Sequence, residues 1–373
     1  MELKEATFEN FRNIERVSFE FDPDMNIFFG KNAQGKTNVI EGIYMFAGGK
    51  SFRHAKDGEI RKFGTEYTCL GAKFETGGRN CDMTISYRGK KARVMTRNGA
   101  RIQKLSDFVG TFRAVLFCPN HLSIVQAEPA VRRAFIDGAI SQFRPKYLAS
   151  LMEYRDVIEE KNALLRSYEE KPEGFDLMYD VLSERAAKLG GYITAVRAGY
   201  LERIFSHVNA LEYDMSAGKE EITYSYNTSL GDADLSNAEE NEKMYLSLAE
   251  KYREKEKIVG TSLVGAHRDD FDIFLGGRAA KKFASQGQQR SIALALKLSE
   301  GEISREECGE YPVFLLDDVL SELDRDRKNY VLSRLHGRQV MITSCDESDF
   351  SQIHGGKRIF VEEGKYTTIG GSE

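Results

Sequence analysis

Cysteine is scarce and unpaired in this 373-residue sequence. The 5 cysteines are widely scattered, and no two of them form a C-x-x-C pair. An odd number of scattered cysteines without a C-x-x-C pair argues against a disulfide framework and against a structural zinc site. We therefore expect reduced thiols and a cytoplasmic location.

Long apolar runs, a targeting segment and an excess of positive charge are also missing. No run approaches the roughly eighteen apolar residues of a membrane span. The first residues, MELKE, lack the basic and apolar regions of a signal peptide. We expect no membrane association. The formal net charge is −5, so any contact with nucleic acid must come from a local basic patch.

The composition that remains is that of an ordinary globular protein, with 41% hydrophobic and 30% charged residues. This balance supplies ample material for a hydrophobic core. Because 373 residues exceed the usual size of one domain, we expect two or three structural units.

Residues 30–37 form a glycine-rich loop of the pattern G-x-x-x-x-G-K-[ST]. An apolar run at 26–29 precedes the loop and a helical apolar pattern at 39–46 follows it, so it joins a strand to a helix. A glycine turn with an incidental lysine is the simpler alternative, but this context favours a phosphate-binding loop. The predicted nucleotide-binding residues here are Gly30, Lys31, Asn32, Ala33, Gln34, Gly35, Lys36, Thr37 and Asn38.

The fixed positions of this loop each have a chemical reason. Gly30 and Gly35 permit backbone conformations that let successive N–H groups curl around a phosphate. The helix that starts near Lys36 adds the positive end of its dipole. We expect Lys36 to reach the β- and γ-phosphates and the Thr37 hydroxyl to bind Mg²⁺.

Arg12 lies between predicted strands at 3–8 and 17–21. Two interpretations of this arginine remain open. It either folds over the bound phosphates or is a solvated hairpin arginine.

A basic cluster occupies residues 88–104, with seven basic residues, no acidic one and the hairpin signal Asn98-Gly99. It is either a track for the phosphate backbone of DNA or protection of a sheet edge by lysine and arginine. We favour the DNA interpretation. The predicted DNA-binding residues are Arg88, Lys90, Lys91, Arg93 and Arg97.

Two long helical patterns follow in the middle of the chain. Apolar residues at 147–168 recur at steps of four and three, with Lys161 as an interruption, and a second series runs through 178–211. These patterns predict an antiparallel helical hairpin with a coiled-coil-like seam. About 27 residues at 1.5 Å each give an arm of roughly 40 Å. A further, highly charged helix is predicted at 238–257, with its charges solvated.

Residues 313–318, VFLLDD, form an apolar strand that ends in two carboxylates, as a Walker B segment does. A buried parallel strand would deliver Asp317 beside the phosphate loop, where it can hold Mg²⁺ directly or through water. Asp318 would then be placed to orient or deprotonate the attacking water. A strand that ends in an acidic turn is the plain alternative, but the segment SELD at 321–324 follows this one.

Ser285 predicts a second phosphate-binding helix end. It is a natural N-cap for the helical run at 292–298, and a helix N-terminus with a serine hydroxyl is itself a phosphate site. A mononucleotide needs only the loop at 30–37. The second helix end makes sense if it closes on the nucleotide of another subunit.

Together these motifs resemble the ABC-type ATPase heads of the SMC-like DNA repair class. Over nearly the whole chain the sequence also resembles the RecF family of recombination mediators, through NFRN at 10–13, SFR at 51–53, the Pro129/Arg132-Arg133 segment and GAHRDD at 265–270. It departs from that family at 119–122, where acidic residues are more typical, and at Ala266, where proline is common.

The resemblance implies an ATP site with Mg²⁺ that is completed by an ATP-dependent homodimer. The residues acting in cis would be Lys36, Thr37, Asp317 and Asp318, with Thr37 and Asp317 on the metal. Ser285 and Gln288 of the partner, with Gly287 between them, would cap the γ-phosphate. The Asp324 loop would cross the dimer interface, Gln126 would be the lid glutamine, and Thr343 would take the switch position.

The resulting hypothesis is an α/β fold: an ABC-type ATPase head, with a mixed sheet and an antiparallel β subdomain, and an inserted helical arm. The predicted parts are 1–127, 128–258 and 259–373. The resemblance implies a DNA-binding ATPase of recombinational repair and replication-fork maintenance. The resemblance also implies a preference for duplex DNA at single-strand gaps, and other recombination mediator proteins as partners in loading recombinase.

Two alternative functions remain at this point. A transporter subunit is disfavoured by the basic hairpin and the helical arm, and membrane fractionation would decide. The other alternative is a structural DNA-bridging protein, an ATP-gated DNA clamp in which ATP hydrolysis is vestigial. A Lys36→Met variant that keeps DNA binding and dimerisation with ATP present would support it.

The aspartate at position 318, where a glutamate base is usual, predicts slow hydrolysis, with ATP acting as a timer for the closed dimer. We expect steady-state phosphate release well below transporter rates. A turnover of about tens per second or more would contradict this prediction.

Overall fold

The computed structural model describes residues 1–89, 93–170, 173–216, 218–231, 233–345 and 355–369. The chain divides into two compact units. The first unit comprises Met1–Val125, Leu211–Gly218 and Ser285–Glu373, and the second comprises Gln126–Ala210 and Lys219–Ala284. None of the helices that the structure describes has a stretch long and apolar enough to cross a membrane.

The described strands and helices are numbered in chain order. The strands are β1 Glu2–Phe11, β2 Ile14–Glu20, β3 Met25–Phe29, β4 Tyr67–Thr76, β5 Arg79–Arg88, β6 Val94–Arg97, β7 Ala100–Ile102, β8 Ala114–Phe117, β9 Ile222–Asn227, β10 Asp270–Leu275, β11 Arg278–Ala279, β12 Val313–Asp317, β13 Val340–Ser344, β14 Lys357–Glu362 and β15 Lys365–Ile369. The helices are α1 Lys36–Gly48, α2 Leu105–Phe108, α3 Pro129–Ser141, α4 Pro145–Arg166, α5 Phe175–Met215, α6 Ala238–Val259, α7 Ala280–Phe283, α8 Gln286–Cys308 and α9 Arg325–Leu335.

A mixed sheet in the order β15-β14-β3-β13-β12-β8 forms the core of the first unit. Strands β8, β12, β13, β3 and β14 run parallel, and β15 pairs antiparallel at the edge. Both faces of β12 are buried: Val313 and Leu315 pack with residues of α1, and Phe314 and Leu316 pack with residues of α8. Burial on both faces explains why the strand is continuously apolar.

An antiparallel sheet in the order β2-β1-β4-β5-β6-β7 packs one face against α1. Its last hairpin turns at Asn98 and Gly99, whose φ angles of 49° and 75° lie in the left-handed region. Two successive positive φ angles favour asparagine followed by glycine. The predicted hairpin is therefore present.

The second unit contains α3, α4, α6, α7, most of α5 and a small sheet in the order β11-β10-β9. Helices α4 and α5 share a buried apolar cluster that includes Leu164, Leu165 and Phe175, as the predicted helical hairpin requires. The cluster also contains Val157, Tyr179 and Leu182.

Helix α6 differs from the sequence prediction, because its charges are not all solvated. Glu256 is fully buried and lies 3.0 Å from the ammonium of Lys161, which is also buried. Glu256 further accepts hydrogen bonds from the Tyr179 hydroxyl and from the backbone N–H of Leu263. Lys161, which interrupts the apolar pattern of α4, is therefore the ion-pair partner of Glu256 on α6. The apolar patterns of α4 and α5 alone do not reveal this contact.

The boundaries of the two units also differ from the predicted ones. The second unit begins at Gln126 and extends to Ala284, whereas the sequence predicts a helical part at 128–258. The extension follows from strand pairing, because β10 is antiparallel to β9 and keeps the segment after α6 with the second unit.

Candidate nucleotide site

The glycine-rich loop at 30–37 joins β3 to α1 in the first unit. Gly30 has φ 147° and Gly35 has φ 117°, conformations that side chains rarely adopt. A Cβ atom on Gly30 would also overlap the backbone carbonyl oxygen of Val361. The two fixed glycines are therefore required by the backbone path of the loop.

Lys36 is held inside the loop. Its ammonium donates hydrogen bonds to the backbone oxygens of Gly30, at 2.5 Å, and Lys31, at 2.8 Å. Only 6% of the residue is exposed. The loop thus presents a fixed positive charge together with the N-terminus of α1, an arrangement suited to an anion.

Thr37 and Asp317 meet although 280 residues separate them in sequence. The Thr37 hydroxyl donates to Asp317 Oδ1 at 2.9 Å, and the Thr343 hydroxyl donates to the same oxygen at 2.9 Å. Strand β13, which carries Thr343, lies between β3 and β12. The parallel order of these strands therefore places a hydroxyl and a carboxylate together at the start of α1.

The electrostatic state of Asp317 follows from its position. Burial raises the pKa of its carboxyl above the ordinary value, while the hydroxyl bonds from Thr343 and Thr37 lower it. Asp318 is close enough to raise it further, and Arg53 lowers it.

The oxygen ligands fit a hard divalent cation. A hydroxyl and a carboxylate at one helix end are the donors that Mg²⁺ takes from protein when it keeps waters and binds substrate phosphates. Within the described ranges, no group of three or more His, Cys, Asp and Glu side chains could hold a metal ion by itself. Thr37 and Asp317 therefore fit a metal shared with a phosphate ligand.

Asp318 adopts a strained backbone conformation at the end of β12. Its φ is 51°, which is uncommon for a residue with a side chain. The conformation is held from both sides, because its N–H donates to Thr343 Oγ1 at 2.9 Å and its carbonyl accepts from Ser321 Oγ at 2.8 Å. Strain of this kind persists where surrounding contacts over-determine it, as at functional sites.

Arg12 departs from one of its two sequence interpretations. Its guanidinium is only 17% exposed and forms two parallel hydrogen bonds with Glu41, a fully buried carboxylate of α1. It is therefore not a solvated hairpin arginine. It still lines the cleft described next, so contact with phosphates remains a prediction.

An open cleft of about 900 Å³ lies in front of the loop. Its lining includes most of the residues predicted from sequence: Arg12, Asn32, Ala33, Gly35, Lys36, Thr37, Asn38, Asp317 and Asp318. The sequence motifs do not assign Arg53, His54, Pro119 or Asn120 to the site, although they also line the cleft. The family resemblance of the SFR segment at 51–53 is the one signal that points to Arg53.

Ser285 caps α8 with the predicted geometry. Its hydroxyl accepts from the Gln288 N–H at 3.3 Å, and Gln288 Oε1 accepts from the Ser285 N–H at 2.7 Å. The helix end is tied to the loop before α9, because Arg290 forms an ion pair with Glu322 at 3.1 Å. Ser285, Gly287 and Gln288 are not among the described residues that line the cleft.

Gln126 belongs to the second unit, where its side-chain amide donates to the backbone oxygen of Lys281 at 2.7 Å. The predicted role as lid glutamine stays a prediction.

The predicted DNA-binding residues differ in how free they are. Arg88 and Arg97 are exposed, at the ends of β5 and β6. Arg93 is half-buried and donates to the backbone oxygen of Gly49, at the end of α1. Lys90 and Lys91 lie outside the described residues.

The fold and site together define an ABC-type ATPase head with a helical arm, as the sequence motifs predict. The model of the RecF/RecN/SMC N terminal domain family matches residues 2–368, so the chain belongs to this family. The expected resemblance to RecF is also confirmed by the relatives below.

Curated relatives cover nearly the whole chain. The DNA replication and repair protein RecF of Lacticaseibacillus casei is 37% identical over 353 residues, which are 92% of this chain and 93% of that protein. RecF of Listeria monocytogenes is 34% identical over 373 residues, 98% of this chain and 99% of that protein.

Solved structures agree with this assignment. The recombination mediator protein RecF of the RecFOR pathway with ATPrS matches with a TM-score of 0.93 and 32% identity, over 99% of this chain and 98% of the other. The Smc head domain of Pyrococcus furiosus matches with a TM-score of 0.57 at 14% identity, covering 99% of this chain and 96% of the other, a likeness of fold alone.

The raised pKa of Asp317 predicts that its ionised carboxylate lowers the stability of the folded protein. Since the folded-state pKa lies above the unfolded one, the ionised carboxylate destabilises the fold at neutral pH, and this penalty disappears as the pH falls below both values. Asp317→Asn should therefore melt at a higher temperature than the wild type near neutral pH, without Mg²⁺ or nucleotide. The difference should shrink toward about pH 4.

Thermal unfolding of the variant Asp156→Asn, at an exposed residue, is the control. Its melting temperature should show no such pH-dependent increase over the wild type. A lower melting temperature for Asp317→Asn near neutral pH would contradict the burial argument.

Proposed function

We propose that this ABC-type ATPase binds ATP together with Mg²⁺ in the cleft and closes as a homodimer around the nucleotide. The observation that carries the proposal is the hydrogen bond between Thr37 and Asp317 beside the phosphate loop. The solved RecF structures with ATP and with ATPrS, both similar to this chain, support the choice of nucleotide.

The residues of the cleft have distinct proposed roles. The loop N–H groups and Lys36 bind the β- and γ-phosphates, and Thr37 and Asp317 hold Mg²⁺. Asp318 orients or deprotonates the attacking water, since it follows the metal ligand directly. The Mg²⁺ would stabilise charge on the phosphates as the bond to the leaving group breaks.

The homodimer is proposed because the site described in one chain is open. The capped N-terminus of α8 is a second anion-binding helix end, yet its residues are not part of the cleft lining. A two-fold dimer can bring the Ser285 end of one chain to the cleft of the other, since the same surfaces then meet twice.

DNA is the proposed macromolecular ligand. The exposed arginines Arg88 and Arg97 belong to the basic cluster, a local concentration of positive charge in a chain whose net charge is −5. Relatives named as DNA replication and repair proteins support this choice, and a RecFOR-pathway neighbour supports other mediator proteins as partners. The proposed binding site on DNA is duplex next to a single-strand gap. There the protein would help to load recombinase.

The dimer proposal is tested by measuring molar mass in solution with and without ATP and Mg²⁺. The molar mass of the wild type should double only when ATP and Mg²⁺ are both present. Lys36→Met should lose ATP binding and stay monomeric, whereas Ser285→Arg should still bind ATP but stay monomeric.

Ser18→Arg, at an exposed serine of β2, is the control for the added charge. Since Ser285 also caps a helix, the melting temperature of each variant must be recorded; loss of a cap costs about 1 kcal/mol. A Ser285→Arg protein that binds ATP and still doubles its mass would contradict the proposed interface.

The DNA proposal predicts a change in salt dependence. Replacing Arg88, Lys90, Lys91 and Arg93 together by glutamine should weaken binding to gapped duplex DNA. The slope of log affinity against log salt should flatten by about 0.9 for each DNA phosphate that the variant no longer neutralises.

The matched control replaces four exposed lysines of the second unit by glutamine, namely Lys188, Lys243, Lys251 and Lys255. Fluorescence anisotropy at several salt concentrations measures both sets. An unchanged slope in the hairpin variant would place the DNA elsewhere.

A further inference from the structure

Glu41 is a fully buried carboxylate in α1, one turn beyond the phosphate loop. Burying a carboxylate is unfavourable unless charged and hydrogen-bonding partners compensate. The partners of Glu41 come from two other segments of the chain: Arg12 from the β1–β2 turn, and Ser51 and Arg53 from the loop after α1.

The geometry divides the carboxylate between two guanidinium groups. Arg12 makes two parallel bonds to it, Nε to Oε2 at 2.9 Å and Nη2 to Oε1 at 2.5 Å. Ser51 Oγ donates to Oε1 at 2.5 Å, while Arg53 Nη1 lies 3.7 Å from Oε2. A bidentate pair fixes the orientation of a guanidinium group as well as its position. Glu41 therefore orients Arg12, whereas it holds Arg53 only by the attraction between opposite charges.

The two arginines also differ in their other contacts. Arg12 uses its remaining Nη1 to donate to the backbone oxygen of Glu59 at 2.8 Å. Arg53 is 49% exposed and makes a longer bond of 3.3 Å to Asn38 Oδ1. Both line the cleft with Lys36. Without a carboxylate between them, two neighbouring guanidinium groups would repel each other.

We propose that Glu41 is a positioning residue for the nucleotide site, which holds Arg12 and Arg53 together at the cleft so that a triphosphate meets a preset pair of guanidinium groups. The residue acts through the two arginines and does not itself touch the phosphates. The proposal rests on the proposed function and deepens it.

The sign of one measurement separates positioning from simple charge. Glu41→Gln removes a negative charge beside an anion site, so a pure charge effect would tighten ATP binding. Positioning predicts the opposite: ATP affinity should fall about tenfold, because the arginine pair is no longer held in place. Equilibrium binding of ATP with Mg²⁺ gives the answer, and an unchanged or higher affinity overturns the proposal.

A double-mutant cycle tests whether the effect passes through the arginines. In the Arg12→Gln, Arg53→Gln background, Glu41→Gln should change ATP affinity by less than about twofold, since coupled residues are not additive. A loss as large as in the wild-type background would show a merely structural role and overturn the proposal.

The matched control is Glu256→Gln, which neutralises another fully buried, ion-paired carboxylate in the second unit. It should lower the melting temperature and leave ATP affinity within twofold. If Glu41→Gln does not fold, Arg12→Lys keeps the charge but cannot form the parallel pair. It should also lose affinity, and an unchanged affinity overturns the proposal.

Lys36→Met distinguishes this proposal from the proposed function. If Lys36→Met binds ATP as well as the wild type does, ATP does not bind at the loop and both proposals fail. If Lys36→Met abolishes binding while Glu41→Gln does not weaken it, only the role of Glu41 is overturned.

Discussion

The hydrogen bond from the Thr37 hydroxyl to Asp317 joins the two halves of the first unit's chemistry. It exists because β3, β13 and β12 lie side by side and parallel, so that the residues at their carboxyl ends meet at the start of α1. Thr343, at the end of the middle strand, donates to the same carboxylate oxygen and orients Asp318. A change in the order of these strands would leave the phosphate loop without its acidic partner.

Because of this arrangement, the residues proposed to act in the site are also residues that reduce the stability of the fold. Asp317 is buried and carries a raised pKa, and Asp318 has a positive φ, so the end of β12 is unfavourable for stability. The two apolar clusters on either side of the sheet hold it in place. The proposed metal and the attacking water would each use a group whose position the fold maintains against strain.

Local sequence patterns are enough to predict the candidate nucleotide site, whereas contacts between distant segments cannot be predicted in this way. The loop at 30–37 and the strand ending in Asp317 each carry their own signature, and the rule for parallel strands brings them together. Glu41 has no such signature, because its partners Arg12 and Arg53 lie on separate segments. The same holds for Lys161, which interrupts a helical seam until Glu256 of α6 is known.

The predicted boundary at 258/259 shows a similar limit. Helical periodicity ends near α6, but the pairing of β10 with β9 carries the second unit on to Ala284. Strand pairing across tens of residues leaves little trace in a single sequence. The sequence shows the basic cluster directly by its charge. The hydrogen bond from Arg93 to the backbone oxygen of Gly49, at the end of α1, is found only in the structure.

The central claim is that one chain holds half of an ATP site and a second copy completes it. Mixing Lys36→Met protein with Ser285→Arg protein tests this most directly, since one of the two sites in each mixed dimer then has both residues intact. The account predicts that neither variant hydrolyses ATP alone and that an equal mixture recovers hydrolysis. At most about half of the wild-type sites return, because neither variant pairs with itself and each mixed dimer has one intact site. Full hydrolysis by Ser285→Arg alone, or no recovery on mixing, would contradict it.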